Sequence, residues 1–256
     1  MSTDRLPERE CELFSAERRR EIAIVRFRPN QLLLATNLRL TQVLDDHLRE
    51  VSECEEVKVI LFVGPPGNTA LQEYVDLFSR SLQPGVGDLQ AKRLCSALDT
   101  FITGILRSEK IVVTAVSGQV ITDYLGIILA CDHRVFADDT VFVNAHLHLG
   151  LTPKGGTAYF LSRQLGRSGA YEFLLSRDEI PVQRALDLGL SGDVVPYGEL
   201  EEHALAVAQR FAECPVDTLR GLKSLVNYPL RMVSGYLDHE NRVLDGIMMR
   251  RAFPGG

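Results

Sequence analysis

The chain has 256 residues, of which 45% are hydrophobic and 24% charged, and its formal net charge is −6. This composition suits a globular protein of one large domain with a sizeable core. It argues against a nucleic-acid binder, because no basic block exceeds Arg18-Arg19-Arg20, and against a membrane span, because no run approaches ~18 apolar residues. Five cysteines, odd in number and without a CxxC pair, fit reduced thiols in a cytoplasmic protein and give no structural zinc site.

Residues 1–20 are polar and charged and read as a lead, either mobile or folded into an exposed helix, with no apolar signal core. The arginine triplet would then be a solvated helix face. The segment EIAIVRF alternates and stops at Arg28-Pro29, a strand followed by a turn. Helical spacing runs through TNLRLTQVLDDHLREVSECEEV, with Thr36 or Asn37 as a cap. VKVILFVG is a buried strand halted by Gly64-Pro65-Pro66-Gly67. Strand, helix and strand in this order imply a right-handed crossover and a parallel sheet. Residues 80–109 begin as a loop and become an amphipathic helix.

The central stretch, Lys110 to Gly156, is the most informative. Ile111, Val112 and Val113 open a buried strand that Ser117-Gly118 ends. ITDYLGIILACD is too long for an average strand and has the character of a buried helix. HRVFADDTVFVNAH is short strand material broken at Ala137-Asp138-Asp139, and it delivers His146 and His148. Pro153-Lys154-Gly155-Gly156 opens the next helix. Beyond it lie the helices GTAYFLSRQLG and SGAYEFLLS, two more split at Cys214-Pro215, and a final one in YLDHENRVLDGIMMRRAF.

From about Ile22 to about Phe253 the chain resembles the crotonase superfamily, the enoyl-CoA hydratase/isomerase family. KIVVTAVSGQVITDYLGIILACDHRVFADDTVFVNAHLHLGLTPKGGTAYFLSRQLG carries the resemblance. Ser117-Gly118 to Cys131-Asp132 aligns without a gap to the family's Asn-Gly, Gly-Gly-Gly helix start and Cys-Asp. RDEIPVQRALDLGLSGDVVPYGEL is similar to a later family segment of short strand and helix. Leu33-Leu34-Ala35 matches the family's Asn-Ala-Leu motif only in part. The resemblance implies an α/β fold, a crotonase-like spiral core of repeated ββα units over residues 21–200. It also implies a C-terminal helical trimerisation region over 201–256, preceded by the polar lead 1–20. Assembly as a homotrimer or homohexamer follows, with a small acyl or acyl-CoA substrate and no cofactor beyond CoA as part of that substrate.

An enoyl-thioester enzyme steadies an enolate oxygen with two aimed N–H donors and moves a proton with carboxylates. The resemblance places the donors on the backbone of Val75 and Asp123. Asp76-Leu77 fits the end of the family's Ala-Gly-Ala-Asp motif, which sets Tyr74 at its glycine. GPPGNTA reads equally well as a surface turn. The two hydratase glutamates fall on Gly126 and His146, and the triple glycine on Thr122, Asp123 and Tyr124, so ordinary hydration of an enoyl thioester is not expected.

His146 could instead act as a base near neutral pH. Asp123 could orient it, stay a lone acid, or cap the helix from Tyr124 to Ala130. The plainer reading of His146 is a hydrogen-bonded, semi-buried imidazole. Tyr74, Tyr124, Gly126 and His148 are the other pocket candidates. His148 would share a strand face with His146, but no third ligand is in view and no metal is expected. His47, His203 and His239 sit among charges and read as solvated. Arg26, Arg28 and Lys154 are candidates for the CoA phosphates, each also readable as a surface charge; the chain stops before the family's terminal basic helix would form. Three functions stand: a divergent acyl-CoA or acyl enzyme working by oxyanion stabilisation, a retro-Claisen-type C–C hydrolase using His146, and a catalytically silent binding or assembly subunit.

Overall fold

The computed structural model of the protein describes residues 8–28, 38–64, 71–81 and 88–252. Leu33-Leu34-Ala35, Pro65 to Ala70 within the GPPGNTA turn, and the last four residues lie outside the described residues, as do Pro29 and the caps Thr36 and Asn37.

The main sheet has seven strands in the order β1-β2-β3-β4-β5-β7-β10. They are β1 (Arg9–Glu10), β2 (Phe14–Arg19), β3 (Ile22–Phe27), β4 (Val59–Val63), β5 (Ile111–Val116), β7 (His133–Ala137) and β10 (Asp193–Val195). From β3 onward the strands are parallel, with Ile22 beside Val59 and Val59 beside Ile111. The lead read from 1–20 departs from expectation. Residues 9–19 hold two strands that extend the sheet, β2 antiparallel to β3 and β1 antiparallel to β2. The apolar Phe14 and Ala16 of β2 point inward, while Arg18 and Arg19 at its end take ion pairs with Glu56 and Glu17. Arg20 turns the hairpin at φ 55. A short alternating strand with so many charges carries little propensity signal, and pairing with β3 decides it.

Period-two alternation divides the parallel strands between two cores. Ile22, Ile24, Val59, Leu61, Val113, Ala115 and Val135 pack on one face against Leu200, Ala204, Val207 and Ala208 of α9 (Leu200–Ala212). Val25, Ile60, Phe62, Val112 and Phe136 face the other way, into the larger core. Helices cover that second face: α1 (Leu38–Glu53), α2 (Leu71–Ser81), α3 (Asp88–Arg107) and α4 (Thr122–Ala130).

A second sheet of three strands, β6 (Gln119–Ile121), β8 (Val141–Val143) and β9 (Ile180–Pro181), lies in the order β6-β8-β9. The chain visits the two sheets alternately: β5, β6, α4, then β7, β8 and α5 (Ala145–Leu149). These successive ββα units are the spiral expected of a crotonase-like core. The helices α6 (Thr157–Gln164), α7 (Gly166–Leu175) and α8 (Val182–Asp187) follow β8, and α10 (Val216–Val226) and α11 (Val233–Ala252) close the chain. Cys214-Pro215 does separate α9 from α10, where the proline takes the N-cap of α10. Among the described residues no helix is long and apolar enough to cross a membrane.

Candidate functional site

The first turn of α4 gathers the residues that the sequence marked out. Thr122 and Asp123 open the helix. Asp123 does not cap it, because Ile121 holds the N-cap position and no side chain bonds there. The carboxylate reaches outward instead. Its Oδ2 accepts the Tyr74 hydroxyl, and its Oδ1 accepts the Lys154 N–H at 3.0 Å. Only 4% of Asp123 is exposed. A buried carboxylate of this kind is tolerable because it is hydrogen-bonded and lies at a helix N-terminus. Tyr74 is itself buried, stacked on Phe78 at 4.5 Å and edge-on to Tyr124 at 6.0 Å.

Gly126 is where the chain leaves no choice of residue. A Cβ there would stand 1.6 Å from the carbonyl oxygen of Gly155. At Gly155, where φ is +70, a Cβ would meet the Asp123 carbonyl at 2.7 Å. The two backbones touch, and Gly126 is a close-contact point rather than part of a pocket wall.

His146 lies in α5, not in a strand, and is 3% exposed. Its Nε2 is 3.1 Å from the Leu174 carbonyl, and its Nδ1 is 3.3 Å from Thr122 Oγ1. A carbonyl only accepts, so Nε2 carries the proton and Nδ1 takes the threonine hydroxyl. Burial is the main influence on this imidazole and lowers its pKa, while Asp123 and the Leu174 bond pull the other way. His146 and Asp123 are not hydrogen-bonded to each other. Leu174 is in the last turn of α7, whose carbonyls lack partners within the helix. Asn144 also serves that end, donating to Phe173 and Ser176. His146 and Asn144 thus tie down the C-terminus of α7. His148, two residues on, emerges on the opposite side of the short helix and is exposed; a shared strand face does not exist.

Val75 lies inside α2, one turn past its start, where helix geometry directs its N–H to the Leu71 carbonyl. The Leu71 N–H is accepted by Gln119 Oε1 at 3.0 Å, which pins this helix to β6. Asp123 differs, because first-turn N–H groups have no acceptor within their helix. Only one of the two expected oxyanion donors is therefore outside a helical ladder.

A sequence profile of the enoyl-CoA hydratase/isomerase family matches residues 18–247. The chain belongs to this family. "Probable enoyl-CoA hydratase EchA12" of Mycobacterium tuberculosis is 30% identical over 174 residues, 66% of this chain and 60% of that protein. The Mycobacterium bovis protein of the same name matches to the same extent. The chain thus spans less than two thirds of the length of these curated relatives. The fold is shared with an enoyl-CoA hydratase of Bacillus halodurans, with TM-score 0.77 and 20% identity over 92% of this chain and 94% of that one. An enoyl-CoA hydratase of Mycobacterium avium subsp. paratuberculosis gives TM-score 0.75 at 20% identity, covering 93% and 90%.

The three basic candidates for the CoA phosphates are all ion-paired within the chain. Arg26 is ion-paired to Glu17 and Glu201, and Arg28 to Glu10. Lys154 is 4% exposed. Its Nζ lies 2.5 Å from Asn241 Oδ1, 3.1 Å from Glu240 Oε2 and 3.9 Å from Asp99 Oδ1. Burial raises Glu240 to a pKa of about 7, against the pull of Lys154. Sequence reasoning passed over Asp99 and Glu240, whose helical patterns give no sign that they meet.

His47 was read as solvated and is not. It is 2% exposed against Phe14, and desolvation lowers its pKa to about 4. His203 and His133 both contact Asp193 near the surface.

Proposed function

We propose that this chain is a member of the enoyl-CoA hydratase/isomerase family that does not hydrate enoyl thioesters, and that it acts by binding rather than by turnover at the family's usual centre. The contact between Gly126 and the Gly155 carbonyl carries this reading. A glutamate at the first hydratase position has no space, and the second position holds an imidazole whose two nitrogens are engaged. Acyl-CoA chemistry by oxyanion stabilisation would need the Val75 N–H, which belongs to α2. Retro-Claisen hydrolysis would need His146 released from the end of α7.

A second reading rests on the Tyr74–Asp123 contact. It keeps an acyl thioester or related acyl compound as substrate and makes this pair, not His146, the proton carrier. One assay separates the two. Purified protein is mixed with crotonyl-CoA and the loss of conjugated-thioester absorbance is followed. The expected result is no turnover above the protein-free rate. Turnover that survives His146→Ala and disappears in Tyr74→Phe would favour the second reading.

We also infer assembly as a trimer or a dimer of trimers through the C-terminal helices. Leu225, Tyr228 and Met232 are 74%, 62% and 72% exposed in a single chain, an apolar surface suited to a symmetric neighbour. Light scattering tests it, and a monomer mass at micromolar concentration would count against it.

A further inference from the structure

A cavity of about 900 Å³ lies between α1, α3 and α11, away from the Asp123 junction. None of Tyr74, Asp123, Tyr124, Gly126 or His146 lines it. Its volume falls in the range of small-molecule sites. Phe62, Ile105, Leu237 and Met248 give it an apolar interior. Gly104 of α3 lies on the wall, and a Cβ there would meet nothing within 4 Å.

The charge of the cavity is one-sided. Four aspartates line it against two arginines, Arg49 and Arg107. Asp99 is the half-buried case. Asn241 Nδ2 donates to its Oδ2 at 2.9 Å, but its buried Oδ1 has no hydrogen-bond partner among the described residues. Lys154 is 3.9 Å from that oxygen and stands closer to Glu240, at 3.1 Å. One ammonium thus faces two carboxylates, Glu240 buried and Asp99 half-buried. Burial is the main cause that raises the pKa of both, Lys154 pulls both back down, and a neighbouring carboxylate adds a small upward push to each. A proton can supply the missing positive charge, and so can a ligand.

We propose that this cavity binds a cationic amphiphile, an apolar chain ending in an ammonium or similar group, with the cation on Asp99 Oδ1 and the chain between α3 and α11. The anionic phosphates of CoA would be repelled by the same aspartates. The proposal does not depend on whether the family centre is catalytic.

The test is titration calorimetry of the full chain at pH ~7.5, where alkylamines are protonated, with n-octylamine, n-octanoate and n-octanol as probes. Octylamine is expected to bind about tenfold or more tightly than octanoate or octanol, as a charge-assisted hydrogen bond implies. Asp99→Asn should remove that preference. Gly104→Phe should narrow the cavity and weaken binding of all three probes without lowering the thermal midpoint, since helical glycine is replaced by a better helix former pointing into open space. Equal binding of the three probes would overturn the proposal. So would failure of octylamine to bind, or an undiminished affinity for it in Gly104→Phe.

Discussion

Lys154 joins two regions that are filled in opposite ways. Its backbone N–H bonds to Asp123 in the junction where α2, α4 and the 153–156 loop meet, and its ammonium reaches Asp99 and Glu240 behind the cavity beside α11. In the junction the polar groups that matter have partners, and two glycine backbones touch. At the cavity one buried carboxylate oxygen lacks a hydrogen bond and one cation serves two acids. The first region holds the positions at which the resemblance places the family's catalytic groups; the second holds none of them. The contrast teaches that inherited position and present capacity to bind are separate matters. Space and uncompensated charge, not alignment, identify where a ligand would be stabilised.

The sharpest attack on this contrast is Gly126→Ala. One methyl group would have to displace the Gly155 carbonyl, and the expected loss is about 3 kcal/mol or more, at the upper end of overpacking effects. Urea unfolding measures it. An unchanged midpoint would mean that the loop yields and that the junction is less tightly filled than the cavity comparison requires.

His146→Ala comes next. It leaves the Leu174 carbonyl and the Thr122 hydroxyl without their partner, for a loss of roughly 2 kcal/mol in the same assay. A variant as stable as the parent, yet impaired on an acyl substrate, would return His146 to a catalytic role and reverse the assignment of the junction as structural.

The third effect, no larger than the second, appears as a pH dependence. His47 lies on α1, next to a cavity-lining residue but facing the sheet. Its folded pKa, about 4, is below the ordinary value of 6.5. Between these values the unfolded chain binds more protons, so the contribution of His47 to stability is lost as pH falls from 6.5 towards 4. His47→Leu removes that loss. Relative to the parent, the variant should gain about 2 kcal/mol on going from pH ~7.5 to pH ~5. His146 shifts in the same direction and Glu240 in the opposite one, but both remain in each protein and cancel in the difference. A pH-independent difference would show that α1 is not packed tightly on its inner face, and the cavity wall would then be mobile.

Much of the fold was legible because its signals are local. The runs IVVTAV and VILFV could form only buried strands, Ser117-Gly118 marked the turn at which Gly118 takes φ 69, and Cys214-Pro215 separated two helices. The site was legible only as a set of positions. Asp123 and Tyr74 were each expected at the site, but their bonding to each other was not. His146 and His148 were read on a strand because Asn144-Ala145-His146 follows strand residues without a break. The helix that replaces it is five residues long and too short to show a period. The expectation for Val75 failed for a related reason: the turn before it gave no sign of where α2 begins.

By itself the sequence determined the family and the ββα order, and through the resemblance it set the expectation that Gly126 and His146 replace the hydratase glutamates, because these depend on residue type and spacing along the chain. Only the tertiary structure decided that Gly126 admits no side chain, that His146 holds the end of α7, and that Asp99 and Glu240 share one lysine. Each of those facts depends on groups 28 or more residues apart coming within contact distance, and no local propensity encodes a distance of that kind.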